Sequence, residues 1–433
     1  MQTASKKVIN GWAMYDWANS VYNLVITTTF FPIYFTTITR SDANGDNVTF
    51  FGKSFVNSAL YDYSMAAAFI LAALLSPILS SIADTRGNKK RYLMLFTWLG
   101  GLSCCALFNF KGPDPNVEYG AIFFILATLG YCGGLVFYNS YLPEIAVVED
   151  RDRISAKGFA MGYIGSVILQ LIGFALVVVK PFGMADDMPV RLTFLLVGLW
   201  WIGFAQITFL RLPKSRATIQ EHSSSVLTEG FREIRKVYAQ VKNMPVLKRF
   251  LRGFFFYSMG VQTVMMAATI FGSQELGLPS DKLIISVVAI QIVAVLGAWG
   301  MARLSGKFGN LPVLMIVIIL WIAICLAGYR MQTATDFYML AVAVGLVMGG
   351  VQSLSRSTYA KLMPETEDTA SFFSYYDVVE KLSIAIGLIT FGYIHEMTGS
   401  MRNSVLALIV FFLIGLLWLY AALQKQKRLA AGN

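Results

Sequence analysis

Two short loops decide how this sequence is read: Asp84-Thr85-Arg86-Gly87-Asn88-Lys89-Lys90 and Gly306-Lys307-Phe308-Gly309-Asn310. Their glycines, Gly87 and Gly309, stand 222 positions apart. A second pair keeps nearly the same offset, because Pro143-Glu144 is answered 221 positions later by Pro364-Glu365. Two features at one offset imply duplication of a unit about half the chain long. Each loop lies between apolar runs that approach or exceed the roughly 20 residues needed to cross a bilayer. Duplicated membrane units are the mark of carriers whose two halves move around a central site.

Extending outward from the loops, twelve apolar runs emerge. The first six are Gly11–Thr39, Phe55–Ala83, Tyr92–Phe110, Tyr119–Leu142, Ile154–Val179 and Val190–Leu210. The second six are Leu251–Gln274, Leu283–Leu304, Leu311–Tyr329, Phe337–Leu362, Phe372–Tyr393 and Val405–Leu423. Their length, their glycines, and Pro32 and Pro77 suit helices in lipid rather than the alternating ten-residue strands of a barrel. Composition agrees: of 433 residues 56% are hydrophobic and only 14% charged. A soluble domain carries about a quarter charged residues. The expected fold is an all-α membrane protein of twelve transmembrane helices in two pseudo-symmetric six-helix bundles. Residues 1–212 form the first bundle, 213–245 a cytoplasmic linker and 246–433 the second.

The net charge of +10 raises nucleic acid as a partner, but no basic stripe with interleaved aromatics exists. The positive charges fall instead between the spans. Eight lie on one side: Arg40, Lys53, Lys111, Lys180, Arg191, Lys282, Arg330 and Arg402. Lys381 is inside a span, and the other 26 of the 35 share the side of both termini. That asymmetry makes both termini cytoplasmic, with a bacterial cytoplasmic membrane as the expected location. Lys6 and Lys7 precede a run too long for a signal peptide and interrupted by Asp16, Asn19 and Asn23, so it reads as a retained helix. Cys104, Cys105, Cys132 and Cys325 lie inside apolar runs without metal-ligand spacing, and only His222 and His395 exist, so no metal or other cofactor is expected. In the linker Leu227, Phe231, Ile234, Tyr238 and Val241 recur at helical spacing, with Arg232, Arg235, Lys236 and Lys242 on other faces. This predicts an amphipathic helix at the cytoplasmic lipid interface.

The loop Asp84–Lys90 resembles the loop motif of the major facilitator superfamily, with Thr85 where arginine is usual and Ser80 in place of the leading glycine. More specific is Gly11-Trp12-Ala13-Met14-Tyr15-Asp16-Trp17-Ala18-Asn19-Ser20, which is similar to the opening of the vacuole-effluxer-like branch, related to fungal autophagy-associated amino-acid exporters. Three further blocks match that branch in order: Tyr138–Ile145; Ser155–Ala160 with Gly162–Gly165; and Gly349–Ser357, continuing through Pro364 and Phe372-Phe373 to Glu380-Lys381. The resemblance implies a secondary transporter whose substrates include amino acids.

Polar groups inside spans are costly, so those that remain mark function or internal pairing. Asp16, Asn19, Asn23 and Thr27 follow steps of 3, 4 and 4 and share one face of an α-helix. Asn19 and Asn23 are candidates to bind substrate; Asp16, near the cytoplasmic end, either lines the path or pairs and caps as part of a gate. Asp62 is expected roughly 14 Å into the second span at about 1.5 Å per residue. There it is either a proton carrier, since leaving water disfavours the charged form, or a residue of a wet vestibule. The densest cluster is Gln352, Arg356, Tyr376, Asp377, Glu380 and Lys381. Asp377 and Lys381 are spaced for an i,i+4 pair. The cluster reads either as a structural network or as a site in which Arg356 or Lys381 binds a substrate carboxylate while Asp377 or Glu380 takes an ammonium group or a proton. Asn139 joins the substrate-binding candidates. Asp84, Glu144, Arg151 and Arg153 are expected in cytoplasmic gating, and His395 at the surface.

The function these residues support is proton-coupled secondary transport of a small zwitterion, an amino acid or short peptide, by alternating access. Its partners are the solute, protons and membrane lipids, without nucleic acid, and a monomer is expected. A primary pump is disfavoured because no G-x-x-x-x-G-K-[ST] loop exists. Other readings remain open: carriage of an amphiphile or a peptidoglycan fragment, a membrane-embedded enzyme, although neither G-x-S-x-G nor H-E-x-x-H occurs, or a non-transporting sensor.

Overall fold

The computed structural model describes residues 2–41, 45–86, 88–112, 115–213, 226–278 and 280–431. Gly87, His222 and linker residues 214–225 therefore lie outside the described residues. Span 1 is built from three stacked segments, Lys6–Val21, Tyr22–Phe30 and Phe31–Ile38. Spans 2 to 6 are Asn57–Arg86, Lys89–Ala106, Val117–Ser140, Arg151–Val179 and Met188–Arg211. Spans 7 to 12 are Pro245–Leu276, Ser280–Phe308, Asn310–Arg330, Ala334–Leu362, Thr369–Thr398 and Met401–Ala431. Among the described residues eleven of these are long and apolar enough to cross a membrane. Span 7 falls outside that group; its 32 residues include Arg252, Ser258, Gln262 and Thr263.

Two elements depart from expectation. Phe55 and Val56 do not begin span 2. They belong to the second strand of a hairpin, Asn47–Phe50 paired antiparallel with Lys53–Val56. A hydropathy scan merges such a strand with the helix that follows, because both are apolar. The second departure is inside span 1, where Tyr22–Phe30 is a π-helix. Its causes are local. Val25, Ile26 and Thr27 to Thr29 are β-branched and fit an α-helix poorly, and Pro32 has no N–H to give the Thr28 carbonyl. The Thr28 and Thr29 hydroxyls both donate to the Leu24 carbonyl, at 2.8 and 2.9 Å, and staple the wide turn.

The chain divides into two compact units. One is Lys6–Tyr138 with Met161–Gln220. The other is Met1–Ser5, Asn139–Ala160 and Glu221–Asn433. The end of span 4 and the start of span 5 thus pack with the second set of six spans. In the first unit Trp12 stacks on Tyr138 at 4.5 Å, and Trp201 fills the space opposite Gly100, where a Cβ would collide with its ring. In the second, spans 8 and 10 approach so closely that a Cβ on Gly297 or Gly349 would overlap the carbonyl of Leu346 or Ala294. Small residues at such contacts let membrane helices pack backbone to backbone.

The linker helix is Val226–Lys242. Of the expected stripe Val241 is covered, Ile234 is half-buried and Tyr238 is exposed; Val237, off the stripe, is also covered, and the side chains of Leu227 and Phe231 lie outside the described residues. The Lys236 ammonium bonds Glu233 and Asp368, each at 3.1 Å, and the helix packs against spans 7 and 11. Burial alone would lower the Lys236 pKa; the carboxylates of Glu233 and Asp368 outweigh it and hold the ammonium above the usual lysine range.

Candidate functional site

The charged cluster expected in spans 10 and 11 is assembled in the second unit. Asp377, Glu380 and Lys381 lie on adjacent turns of the uninterrupted helix Thr369–Thr398, and the i,i+4 spacing brings Lys381 Nζ to 3.3 Å from Asp377 Oδ1. Lys381 also reaches Glu380 Oε2 at 3.5 Å. The Asp377 and Lys381 side chains are each only 7% exposed, whereas Glu380 retains 24%. Glu380 is therefore the most exposed member of the three. Its other oxygen accepts from Gln262 Nε2 of span 7 at 3.5 Å. Next to this, the Gln352 amide donates to Met265 Sδ at 3.7 Å. Tyr376 lies in an aromatic stack between Phe254, at 4.4 Å, and Tyr359, at 4.8 Å, and serves packing at that position.

Arg356 is buried and bound to the segment Asn139–Ala160. Its Nε and Nη2 donate to Ser155 Oγ and the Ser155 carbonyl at 2.9 and 2.7 Å, and Nη1 donates to Asn139 Oδ1 at 3.3 Å. Its guanidinium lies 4.1 Å from the ring centre of Phe159. Arg356 and Asn139, selected separately from the sequence, are thus direct partners.

The expected gating residues separate. Arg151 donates to the carbonyls of Ala146, at 3.1 Å, Pro143 and Ala360, tying the start of span 5 to the end of span 10. Glu144 accepts from Thr369 Oγ1 at 2.8 Å. Arg153 instead points outward, 70% exposed, and pairs with Asp150 on its own turn. The centre of the network is Asp152, a residue the sequence reading passed over. Its carboxylate accepts from Ser305 Oγ at 2.7 Å, Asn310 Nδ2 at 2.7 Å and Lys361 Nζ at 2.6 Å. Asn310 also accepts from Lys361 at 2.9 Å. A signal was present, because Asn310 closes the repeated loop Gly306–Asn310, but it was read only as a mark of duplication.

In the first unit the polar groups are more scattered. Asp84 and Lys89 form a buried ion pair at 2.9 Å. Asp16 is buried and accepts from the Tyr138 hydroxyl at 2.8 Å. Asn19 is wholly buried, and neither polar atom of its side chain has a hydrogen-bond partner among the described residues. Its neighbours on the same face, Tyr15 and Tyr22, reach Thr97 and Thr128. Asn23 is half-buried. Asp62 is exposed and only five residues past the first residue of span 2, about 7.5 Å. The expected span also took in Phe55 and Val56, two residues of the hairpin strand, and placed Asp62 deeper. Among the described residues no three His, Cys, Asp or Glu side chains gather to hold a metal.

Among the described residues twelve membrane-length helical spans build the fold, and known membrane transporters share it. The human organic anion transporter MFSD10 (TETRAN) superposes with a TM-score of 0.75 at 12% identity, over 96% of this chain and 100% of that one. The E. coli fucose:proton symporter FucP gives 0.69 at 12% identity, over 96% and 97%. The model of the family described as "Vacuole effluxer Atg22 like" matches residues 4–432, and the chain belongs to that family. Its relatives include the MFS-type transporter YxiO of Bacillus subtilis, 30% identical over 414 residues, 94% of this chain and 92% of that one. Autophagy-related protein 22 of Kluyveromyces lactis is 26% identical over 466 residues, 95% of this chain and 92% of that one. The protein is a multi-pass membrane transporter with a small-molecule substrate.

Proposed function

We propose that the chain is a secondary active transporter that moves a small zwitterion, an amino acid or short peptide, unaltered across the membrane by alternating access coupled to protons. The observation that carries this reading is the cluster Asp377–Lys381–Glu380 with Gln262. Both acids meet the Lys381 ammonium group, a setting in which a carboxylate can exchange its cation for a proton or a substrate ammonium group. Glu380, the accessible member, receives the ammonium group; Asp377, the covered one, carries the proton. Gln352 and Lys381 offer donors to the substrate carboxylate, and so does Arg356 once its bonds to Ser155 and Asn139 open. Asn23 and Asp62 belong to the path on the first unit, Asp62 near its mouth. Glu144, Arg151 and Asp152 form the latch that holds Asn139–Ala160 to spans 8 to 11 in one state and releases it in another, with Asp16 and Asp84 supporting the same side. The protein works as a monomer in a bacterial cytoplasmic membrane with both termini cytoplasmic.

A second reading has one observation in its favour. An apolar cavity of about 70 Å³, lined among others by Ala267, Ile324, Cys325, Phe337 and Phe391, lies within spans 7 to 12. It suits the alkyl part of an amphiphile, since apolar cavities stay dry and take apolar guests. The experiment is uptake of a labelled amino-acid mixture into liposomes holding the purified protein, with and without an imposed pH gradient. Accumulation that needs the gradient supports the first reading. Folded protein that accumulates no amino acid but moves a labelled amphiphile supports the second.

A further inference from the structure

The hairpin between spans 1 and 2 has no place in the transport chemistry, yet it is built with care. Its two-residue turn is Phe51-Gly52, and both residues have positive φ, 48° and 76°. Such turns ordinarily use Asn, Asp or Gly at the first position, because side chains with a bulky Cβ substituent are strained there. A phenylalanine occupies it, and its side chain is 70% exposed. The hairpin is not a loose loop. The Phe51 N–H donates to Glu118 Oε1 of span 4 at 2.9 Å, the Asn57 N–H donates to the Asp46 carbonyl at 2.8 Å, and the Asn57 amide donates to the Thr36 carbonyl at 3.0 Å. The tip is thus held in position against the ends of spans 1, 2 and 4 that lie away from the N-terminus.

From that tip a line of aromatic contacts leads down to the membrane-spanning surface. Phe51 meets Phe50 at 4.7 Å, Phe50 meets Phe55 at 6.3 Å, and Phe55 meets Tyr63 of span 2 at 6.2 Å. Tyr63, Ile70 and Leu74 are exposed and follow at steps of 7 and 4, so they share one face of span 2. An exposed apolar face on a helix that crosses the bilayer is covered by lipid. The aromatic line is continuous with that face, and aromatic side chains at span ends favour the boundary between headgroups and acyl chains.

We propose that the hairpin Asn47–Val56 is a membrane-interface anchor, inserting Phe51 into the headgroup–acyl boundary of the leaflet opposite the N-terminus. The backbone strain at Phe51 is tolerated because the position places a large apolar side chain at the outermost point of the tip. Glu118 fixes the tip height relative to span 4, so the anchor sets the depth at which spans 1 and 2 sit in the bilayer.

The test uses the full-length protein in liposomes, with the four native cysteines replaced by alanine and one cysteine introduced by Phe51→Cys. It is labelled with an environment-sensitive fluorophore. The same label is placed by Ile389→Cys on an exposed span position and by Asp186→Cys on an exposed loop, as lipid and water references. The expected result is blue-shifted emission at 51, quenching by nitroxide-labelled lipids at least half that at 389, and iodide quenching several-fold below that at 186. Iodide quenching equal to that at 186, without lipid quenching, would overturn the anchor. So would quenching by neither agent, which would make the tip a protein-covered lid. Should Phe51→Cys fail to fold, Lys53→Cys, exposed in the strand beside the turn, carries the same label with the same two outcomes.

Discussion

Span 1 and span 11 each carry a stripe of polar residues at helical spacing, and only in span 11 do the members of the stripe pair with one another. In span 11 the helix is α throughout, and Asp377 and Lys381 pair as residues four apart should. In span 1 the α-helix ends at Val21, and the π-helical turns of Tyr22–Phe30 put more residues into each turn. The groups at steps of 3, 4 and 4 nevertheless take separate partners. Asp16 meets Tyr138, Asn19 is sealed in the interior of its unit, and the Thr27 carbonyl accepts from the Tyr61 hydroxyl at 2.8 Å. Gln170 of span 5 donates to Thr29 Oγ1 at 3.0 Å. Periodicity identifies a shared face, but what that face meets is decided by the elements packed against it.

The contrast between a charged, internally paired region and a neutral, dispersed one can be broken or sharpened by substitution. The largest effect is expected from Asp377→Asn. Gradient-driven uptake should fall by at least tenfold, about 1.4 kcal/mol in the rate-limiting step, while thermal unfolding in detergent stays near that of the parent. Unchanged uptake would remove Asp377 from the coupling path and leave the cluster a structural one.

Next in size is Asp152→Ala. It strands the Lys361 ammonium beside Asn310 and removes three bonds at once, so a loss of roughly 3 kcal/mol is expected, as for other covered ion pairs deprived of one partner. The change would be read as a lowered unfolding temperature together with faster cysteine labelling at Ser155→Cys. A stable protein with unaltered labelling would show that the latch is not held there.

Arg151 and Arg153 offer a smaller, internal comparison. Arg151→Ala leaves carbonyls of Ala146, Pro143 and Ala360 without their charged donor and should cost about 2 kcal/mol. Arg153→Ala removes an exposed pair and should cost under about 0.5 kcal/mol. Equal losses in a melting experiment would contradict the separation between them.

The smallest effect belongs to span 1. Asn19→Leu replaces a covered amide that lacks partners among the described residues with an apolar group of similar size, and stability should be unchanged or raised by about 1 kcal/mol. Uptake should persist. A large loss of uptake with folding intact would return Asn19 to the substrate path and restore the stripe as a functional face.

Much of the architecture was legible because hydropathy acts over whole spans. All twelve expected runs are helical over most of their length, and the offset between Gly87 and Gly309 carried the duplication. The branch of the superfamily was readable from local motifs such as Gly11–Ser20 and Gly349–Ser357, the latter containing a glycine that the packing of spans 8 and 10 requires. Short-range charge pairing was readable too, because Asp377 and Lys381 belong to one helical turn and its neighbour. Other features were not. The hairpin that displaced Asp62 toward the span end was hidden in an apolar run, since hydropathy does not distinguish strand from helix over four residues. The pairing of the linker helix with a distant carboxylate, Lys236 with Asp368, was not legible either.

By itself, then, the sequence determined what each segment is in contact with in bulk: lipid, water, or another span. That information is carried by averaged transfer energies and needs no partner to be known. Only the tertiary structure decided which polar group meets which. Arg356 could have been assigned to Asp377, to Glu380 or to substrate, and nothing in its neighbourhood along the chain named Ser155 or Asn139, 201 and 217 positions away. Asp152 is flanked by two arginines along the chain, yet its partners in the fold are Ser305, Asn310 and Lys361. Hydrogen bonds are short and directional, so their partners are fixed by how the helices pack, and helix packing is the one thing a one-dimensional pattern does not hold.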